Sequence, residues 1–314
     1  MLSSHPVLQD FASYTSILAI FMNLILIKLI ISYSHSSIGT YKYLMVYVAV
    51  FELTFGFVSF VHLPIALSKD SGFFVLSDWK HSILPRWLSA LLNVTYHGFY
   101  GFCLVILAIH FIYRYAAVSG HQILITFTSW KLLIWLSLPF LNAVIWTLVV
   151  GLILVRDKVV DEILIEEFLG SRGLKLEDYE YFASIYYIDS FWIVIRSVIG
   201  SVIITSLILF SSFIMIFFGW KCYNSLKLLT QMASKSENYR KLQNQLFYAL
   251  VAQTLVPTVF LHFPSLLLII SLIMNASDEW YGDLLCLATA IYPALNPIPT
   301  ILIVEGYRKG LISE

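Results

Sequence analysis

Long apolar runs separated by short polar stretches organise the whole chain. Runs rich in Leu, Ile, Val and Phe cover roughly 11–31, 42–66, 89–113, 131–155, 191–218, 245–273 and 283–304, each near the ~20 residues a helix needs to cross a bilayer. Each run is apolar on every side. Membrane-spanning strands would be only about 9–11 residues long and would alternate polar with apolar positions, so a β-barrel is excluded. The pattern predicts an all-α fold: one domain over residues 1–314, a seven-transmembrane-helix bundle with 305–314 as a short cytoplasmic tail.

Composition agrees. Of 314 residues, 59% are hydrophobic and only 12% charged, although the net charge is zero. A soluble domain of this length needs more polar surface; lipid removes that demand. Basic residues give the orientation. With the N-terminus outside, the inner side carries Lys28, Lys42, Arg114, Lys131, Lys221, Lys227, Lys235, Arg240, Lys241, Arg308 and Lys309. The outer side carries Lys69, Lys80, Arg86, Arg156, Lys158, Arg172 and Lys175. The excess is on the inner side, as the positive-inside rule requires, and an odd number of spans then leaves the C-terminus cytoplasmic. Met1–Asp10 is polar and lacks a basic start, so span one is expected to act as an uncleaved signal anchor.

The long connection 156–190 collects acids from Asp157 to Asp189. Within it, Val159–Leu169 alternates apolar and acidic residues at helical spacing, which predicts a short helix in a solvated cap over the outer mouth. A selector for cationic ligands is the alternative reading of the same charges. The three cysteines, Cys103, Cys222 and Cys286, have no extracellular partner and no zinc spacing, so neither a disulfide nor a metal site is expected, and no cofactor is implied. Sequons at Asn93 and Asn275 both abut a span.

Ionisable and polar groups inside a membrane are costly and therefore mark candidate sites. Stepping back from Arg114 by alternating fours and threes gives His110, Leu107, Cys103, Tyr100 and Tyr96, one stripe on span three that faces the bundle interior. Its outer end, with His97, can line a pocket; an aromatic belt at the interface is the competing account of the tyrosines, and a snorkelling anchor that of Arg114. Further polar or aromatic groups at outer span ends are Trp146, Arg196, His262 and Phe263. Span seven reads Tyr292-Pro293-Ala294-Leu295-Asn296-Pro297-Ile298-Pro299-Thr300, which predicts a kink whose freed carbonyls need partners. Asn23 and Glu52 lie at depths that reach Asn296, predicting a polar knot. Pro257 is expected to bend span six so that its inner end can swing.

These motifs together carry a resemblance. Gly39–Met45 (GTYKYLM), His110–Tyr115 (HFIYRY), Gln253–Pro257 (QTLVP) and Tyr292–Thr300 with Gly306-Tyr307-Arg308 resemble the nematode seven-span serpentine chemoreceptors of the Str class, the group related to the diacetyl odorant receptor. Asn296 stands where that family usually has Asp, and Gly306 where Asn is common. The resemblance implies a rhodopsin-like GPCR architecture and an olfactory receptor for small environmental chemicals, signalling through a heterotrimeric G protein from the plasma membrane, in a sensory-neuron cilium. By similarity, Arg114 with Tyr115 forms the coupling face, and Asn296 with Pro297 the span-seven switch. The implied partners are an odorant, a G protein and the bilayer; nucleic acid has no place, and a dimer is compatible.

Three rivals frame that reading. A light sensor needs a retinal-binding lysine, and 283–304 has none. A ligand-gated channel or transporter needs a polar path and, often, repeated halves; few intramembrane polar groups and no repeat are present. An enzyme is not expected, because His62, His97, His110 and His262 are scattered and make no paired metal motif.

Overall fold

The computed structural model describes residues 5–128, 130–170, 173–231 and 236–313, and Arg172 and Lys235 of the charge pattern lie outside them. Among the described residues, seven helical segments are long and apolar enough to cross a membrane. Span one is α1 (His5–Tyr33), and span two is α2 (Tyr41–Val61). Two further strands of chain follow span two directly, β1 (Ile65–Lys69) and β2 (Gly72–Asp78). Span three is broken at His97 into α3 (Arg86–Tyr96) and α4 (Gly98–Ser119). Span four is α5 (Lys131–Leu148), ending in a π turn, Val149–Ile153.

The fourth connection holds α6 (Lys158–Leu164), a π turn Ile165–Leu169, and β3 (Tyr179–Ile185). Span five is α7 (Phe191–Gln231), 41 residues in one helix. Span six is α8 (Glu237–Pro257), a π turn Thr258–His262, and α9 (Phe263–Ile273). Span seven is α10 (Glu279–Leu295) and α11 (Pro297–Ile303), and the tail is a helix of its own, α12 (Glu305–Ser313).

Span three is the axis of the bundle. Its α4 buries sixteen of 22 residues and packs chiefly on α7 and α5. Spans one and five instead show their apolar side chains outward, Phe21 and Ile31 on one and Phe210 and Ile216 on the other, where lipid covers them.

The antiparallel sheet β1–β2–β3 was not foreseen, and it corrects the reading of span two. Residues 62–66 leave the helix: His62 is extended, and Ile65 and Ala66 already pair with Leu76 and Val75. β3 pairs along β2 from Gly72↔Ile185 to Asp78↔Tyr179. With the basic-rich side taken as cytoplasmic, this sheet lies at the outer end. Its apolar face is covered by α6 and the following turn, where Val160, Leu164, Phe168 and Leu169 pack on Leu67, Phe74, Leu76 and Tyr181. The acidic connection is therefore a cap with its own small core.

The cap is tied down all round. Asp70 bridges Ser277, Ser68 Oγ donates to the Asp278 carbonyl at 2.6 Å, and Asn93 Nδ2 donates to the Val75 carbonyl at 3.1 Å. Ion pairs Lys80–Asp178 (2.7 Å), Arg86–Glu180 (2.6 Å) and Lys69–Glu167 stitch its edge, and Glu167 holds the Lys69 ammonium above its ordinary value. Each exposed pair contributes little alone. At Gly282, β1 meets span seven so closely that a Cβ would sit 2.5 Å from the Ala66 carbonyl oxygen. Asn93 is 2% exposed and committed to β2, which removes it as a glycan acceptor in this fold.

Candidate functional site

The outer cavity lies beside the one-residue interruption of span three and is roofed by the sheet. His97 sits at the break with φ −71° and ψ −22°. Gly98 and Gly101 then let α4 lie close against span four, where a Cβ on Gly98 would meet Thr147 Oγ1 at 2.6 Å. Below the roof lies a cavity of about 130 Å³ between spans three to seven. Span three contributes His97, Tyr100 and Leu104, span four Trp146 and Val150, span five Ser201, Ile204 and Ile208, and span six His262, Ser265 and Leu268. The roof contributes Phe73, Phe182, Ser184 and Tyr186.

The walls are aromatic and the polar groups few. His97 meets Phe182 edge-on at 4.7 Å and stacks over Tyr100 at 6.2 Å; Tyr100 stacks on Trp146 at 6.4 Å. The Tyr100 hydroxyl is engaged by Thr289 of span seven, and the Tyr186 hydroxyl by Ser201. Two buried polar atoms of the lining, His97 Nε2 and Ser184 Oγ, have no partner among the described residues. An apolar cavity of about 150 Å³ holds benzene, so this one has room for a single molecule of that order. A smaller hollow of about 50 Å³ lies on the other side of His97 and Tyr100, lined by Tyr96, Cys286 and β1.

Of the eight ligand candidates read from the sequence, the structure brings His97, Tyr100, Trp146 and His262 to the cavity. Tyr96 lines the neighbouring hollow, its hydroxyl 3.3 Å from Ser59 Oγ. Three belong elsewhere. Phe263 is 57% exposed, because the π turn before it shifts the helical phase and turns it to lipid. Arg196 lies at the outer rim and pairs with Asp157 at 3.4 Å. Cys103 lies deeper, its Sγ 3.0 Å from the Tyr292 hydroxyl. The roof residues were missed. Tyr179–Ile185 is rich in aromatic and β-branched residues, a strand signal, but a lone strand next to acids shows no partner.

Beneath the cavity runs a buried polar column. Pro297 has no N–H, so the Pro293 carbonyl four residues back loses its helical partner. Asn23 Nδ2 fills that gap at 3.0 Å and also donates to the Ala19 carbonyl at 2.9 Å. Asn296 Nδ2 donates to Glu52 Oε1, and the Tyr292 hydroxyl donates to the same oxygen at 3.2 Å. The knot thus exists, with one difference from expectation: Asn23 binds the backbone of span seven and not the Asn296 side chain. Gln253 Nε2 of span six reaches the Asn296 carbonyl at 3.4 Å. Pro257 closes α8 four residues later.

At the inner end, Arg114 is 1% exposed, which rules out a snorkelling anchor. Its guanidinium donates to the Gln243 carbonyl of α8 at 2.8 Å and lies over the Tyr41 ring at 5.2 Å. The Tyr41 hydroxyl is 3.2 Å from His110 Nδ1. Tyr115 turns to span five, packing on Phe218 at 5.7 Å under the Lys221 ammonium. A single cationic side chain therefore joins spans two, three and six where the bundle meets the cytoplasmic side.

A seven-helix membrane protein with a roofed outer cavity, a proline-kinked span seven and a buried arginine at the foot of span three has the build of a serpentine receptor. The chain belongs to the Str family of serpentine seven-transmembrane GPCR chemoreceptors, whose family model matches residues 8–312. It is 31% identical to G-protein coupled receptor str-217 of Caenorhabditis elegans over 92% of this chain and 84% of that one. It is 26% identical to serpentine receptor class r-10 of the same nematode, over 88% and 82%. A third relative, G-protein coupled receptor str-33, is 24% identical over 96% and 89%.

Proposed function

We propose that the protein is a chemosensory receptor of the plasma membrane, in a sensory cilium. It binds one small, mostly apolar environmental chemical in the outer cavity and passes that event to a heterotrimeric G protein at the inner face. The observation that carries the reading is the cavity itself: aromatic walls with buried His97 Nε2 and Ser184 Oγ, unpartnered among the described residues. Such a site rewards shape and one well-placed hydrogen bond.

The contacts below it supply a route for a population shift. Tyr100 holds Thr289, Cys103 meets Tyr292, and Tyr292 and Asn296 share Glu52. Gln253 connects that knot to span six, and Arg114 holds span six at Gln243. A ligand that binds better when Tyr100 and Thr289 separate favours the state in which α8 leaves Arg114. The opened inner face, with Arg114, Tyr115 and the basic segment Lys221–Lys241, then meets the G protein.

The test is expression with a promiscuous G protein, surface display checked through an N-terminal tag, and a screen of volatile and water-soluble odorants for calcium release. The expected result is a response weakened by His97→Ala and lost with Arg114→Ala. Normal ligand-driven signalling from Arg114→Ala, or a ligand-evoked current without a G protein, refutes the reading.

A further inference from the structure

The outer cavity has a neighbour on the lipid side. A groove of about 480 Å³ runs between the outer halves of spans five and six, lined by Val198, Val202, Thr205 and Ser206 on one side and Ile269 and Ile273 on the other. Val202 and Ile273 are more than half exposed, so the groove opens to the bilayer. Three residues line both groove and cavity: Tyr186, Ser201 and Ile269. The partition between the two spaces is therefore thin, a tyrosine hydroxyl closed on a serine hydroxyl beside one isoleucine.

The helices are also parted there. Span five packs along span three and meets span six mainly at the inner half, α8, leaving α9 to lean on span seven. Tyr187 bridges the gap at its top, its hydroxyl donating to the Ile273 carbonyl at 2.7 Å. The opposite route, from the aqueous side, runs under the three-stranded sheet, which is fastened to spans three and seven by Asn93, Ser68 and the Asp70–Ser277 bridge.

We propose that the cavity is loaded from the membrane, through a lateral portal between spans five and six that the Tyr186–Ser201 pair closes, and that its ligands are apolar molecules concentrated in the bilayer. This rests on the cavity being the ligand site, but its test needs no signalling. Breaking one hydroxyl–hydroxyl contact is a small barrier. Freeing the sheet means parting strand pairing, side-chain bonds and several ion pairs together. Small apolar molecules partition into lipid, so the portal faces the phase that holds them.

The experiment uses the full-length receptor in liposomes and 3-phenyl-3H-diazirine, an apolar probe of about the size the cavity admits. The probe is added, photolysed after short or long delays, and the insertion sites are read by peptide mass spectrometry. In the unmodified receptor, Phe182, Ile204 and Leu268 of the cavity are labelled at short delay. Val202→Trp and Thr205→Trp, which fill the groove without touching the cavity, lower that early labelling by at least about fivefold, with recovery at long delay, because a blocked path slows arrival without changing affinity. Val144→Trp, on the lipid side of span four, changes nothing, and lipid-facing Phe140 and Leu141 label equally in all variants. Cavity labelling as fast in the groove variants as in the unmodified receptor overturns the portal. So does a cavity left unlabelled at every delay while Phe140 and Leu141 react. A receptor that labels as expected but never signals retains the portal and sinks the receptor reading instead.

Discussion

The Glu52 knot makes a quantitative claim about span seven. Glu52 is 1% exposed, and its Oε1 takes both the Asn296 amide and the Tyr292 hydroxyl, while its Oε2 has no partner among the described residues. Asn296→Leu removes one of two donors from a carboxyl group that is buried away from bulk solvent. A buried polar group left short of partners costs about 1–3 kcal/mol. At roughly 2–4 °C per kcal/mol for a chain of this order, the melting temperature of the receptor in nanodiscs falls by about 5 °C. Glu52→Leu leaves the Asn296 amide stranded in the same way and costs a similar amount. The double variant replaces the pair with two apolar side chains of similar size, which is close to neutral for buried polar pairs. The cycle therefore has a coupling energy of about 2–6 kcal/mol, the two single costs together, with the double variant melting above both singles. Single effects that add to within about 0.5 kcal/mol refute the knot as a unit.

Gly282→Ala forces a Cβ against the Ala66 carbonyl, so β1 and span seven must part; faster hydrogen exchange at Ala66 and Leu67 is expected, and unchanged protection refutes the clamp. Arg114→Ala empties a site that is 1% exposed and removes the bond that ties span three to the Gln243 carbonyl, so surface display falls somewhat while signalling is lost; Arg114→Lys, shorter of donors but still charged, keeps more display, and equal display of both refutes the packing argument. Lys241 and Lys309 hold the Glu305 carboxyl down at about 2. A depressed carboxyl contributes its tether fully above its ordinary value of 4.5 and loses it as pH falls towards about 2, so the Glu305 carbon shift titrates near the lower value, and a midpoint at the ordinary one dismisses the bridge.

The membrane fold was legible because lipid imposes one rule on every residue of a span, and that rule is visible as unbroken hydrophobicity. The interior stripe of span three was legible for the same reason: polar groups at helical spacing in an apolar run have only one side to face. The roof was not, since β1 and β2 are short and apolar and sit at the end of span two, where Ile65 and Ala66 look like more helix. Strand pairing between residues 72–78 and 179–185 is a long-range fact that no local pattern announces. Phe263 and His262 show a finer limit. They are neighbours with similar character, and only the phase shift of a π turn decides that His262 lines the cavity and Phe263 meets lipid. Asn23 was found at the right depth, yet its true partner, a carbonyl orphaned by Pro297, is a backbone atom that side-chain reasoning passes over.

Span five continues as one unbroken helix of 41 residues. At 1.5 Å per residue it is about 60 Å long against about 40–45 Å for a bilayer with its headgroups, so roughly a third of it stands outside the membrane. That geometry is a lever. The part beyond the apolar run 191–218 is about 20 Å long, so a rigid rod pivoting at the bilayer's inner edge through about 10° carries its far tip about 3–4 Å. Ser201, Ile204 and Ile208 of the cavity lie on that same rod, so under the function proposed above a tilt set at the cavity is carried whole to the cytoplasmic side, and the stiffness of the protruding part decides how much of it survives.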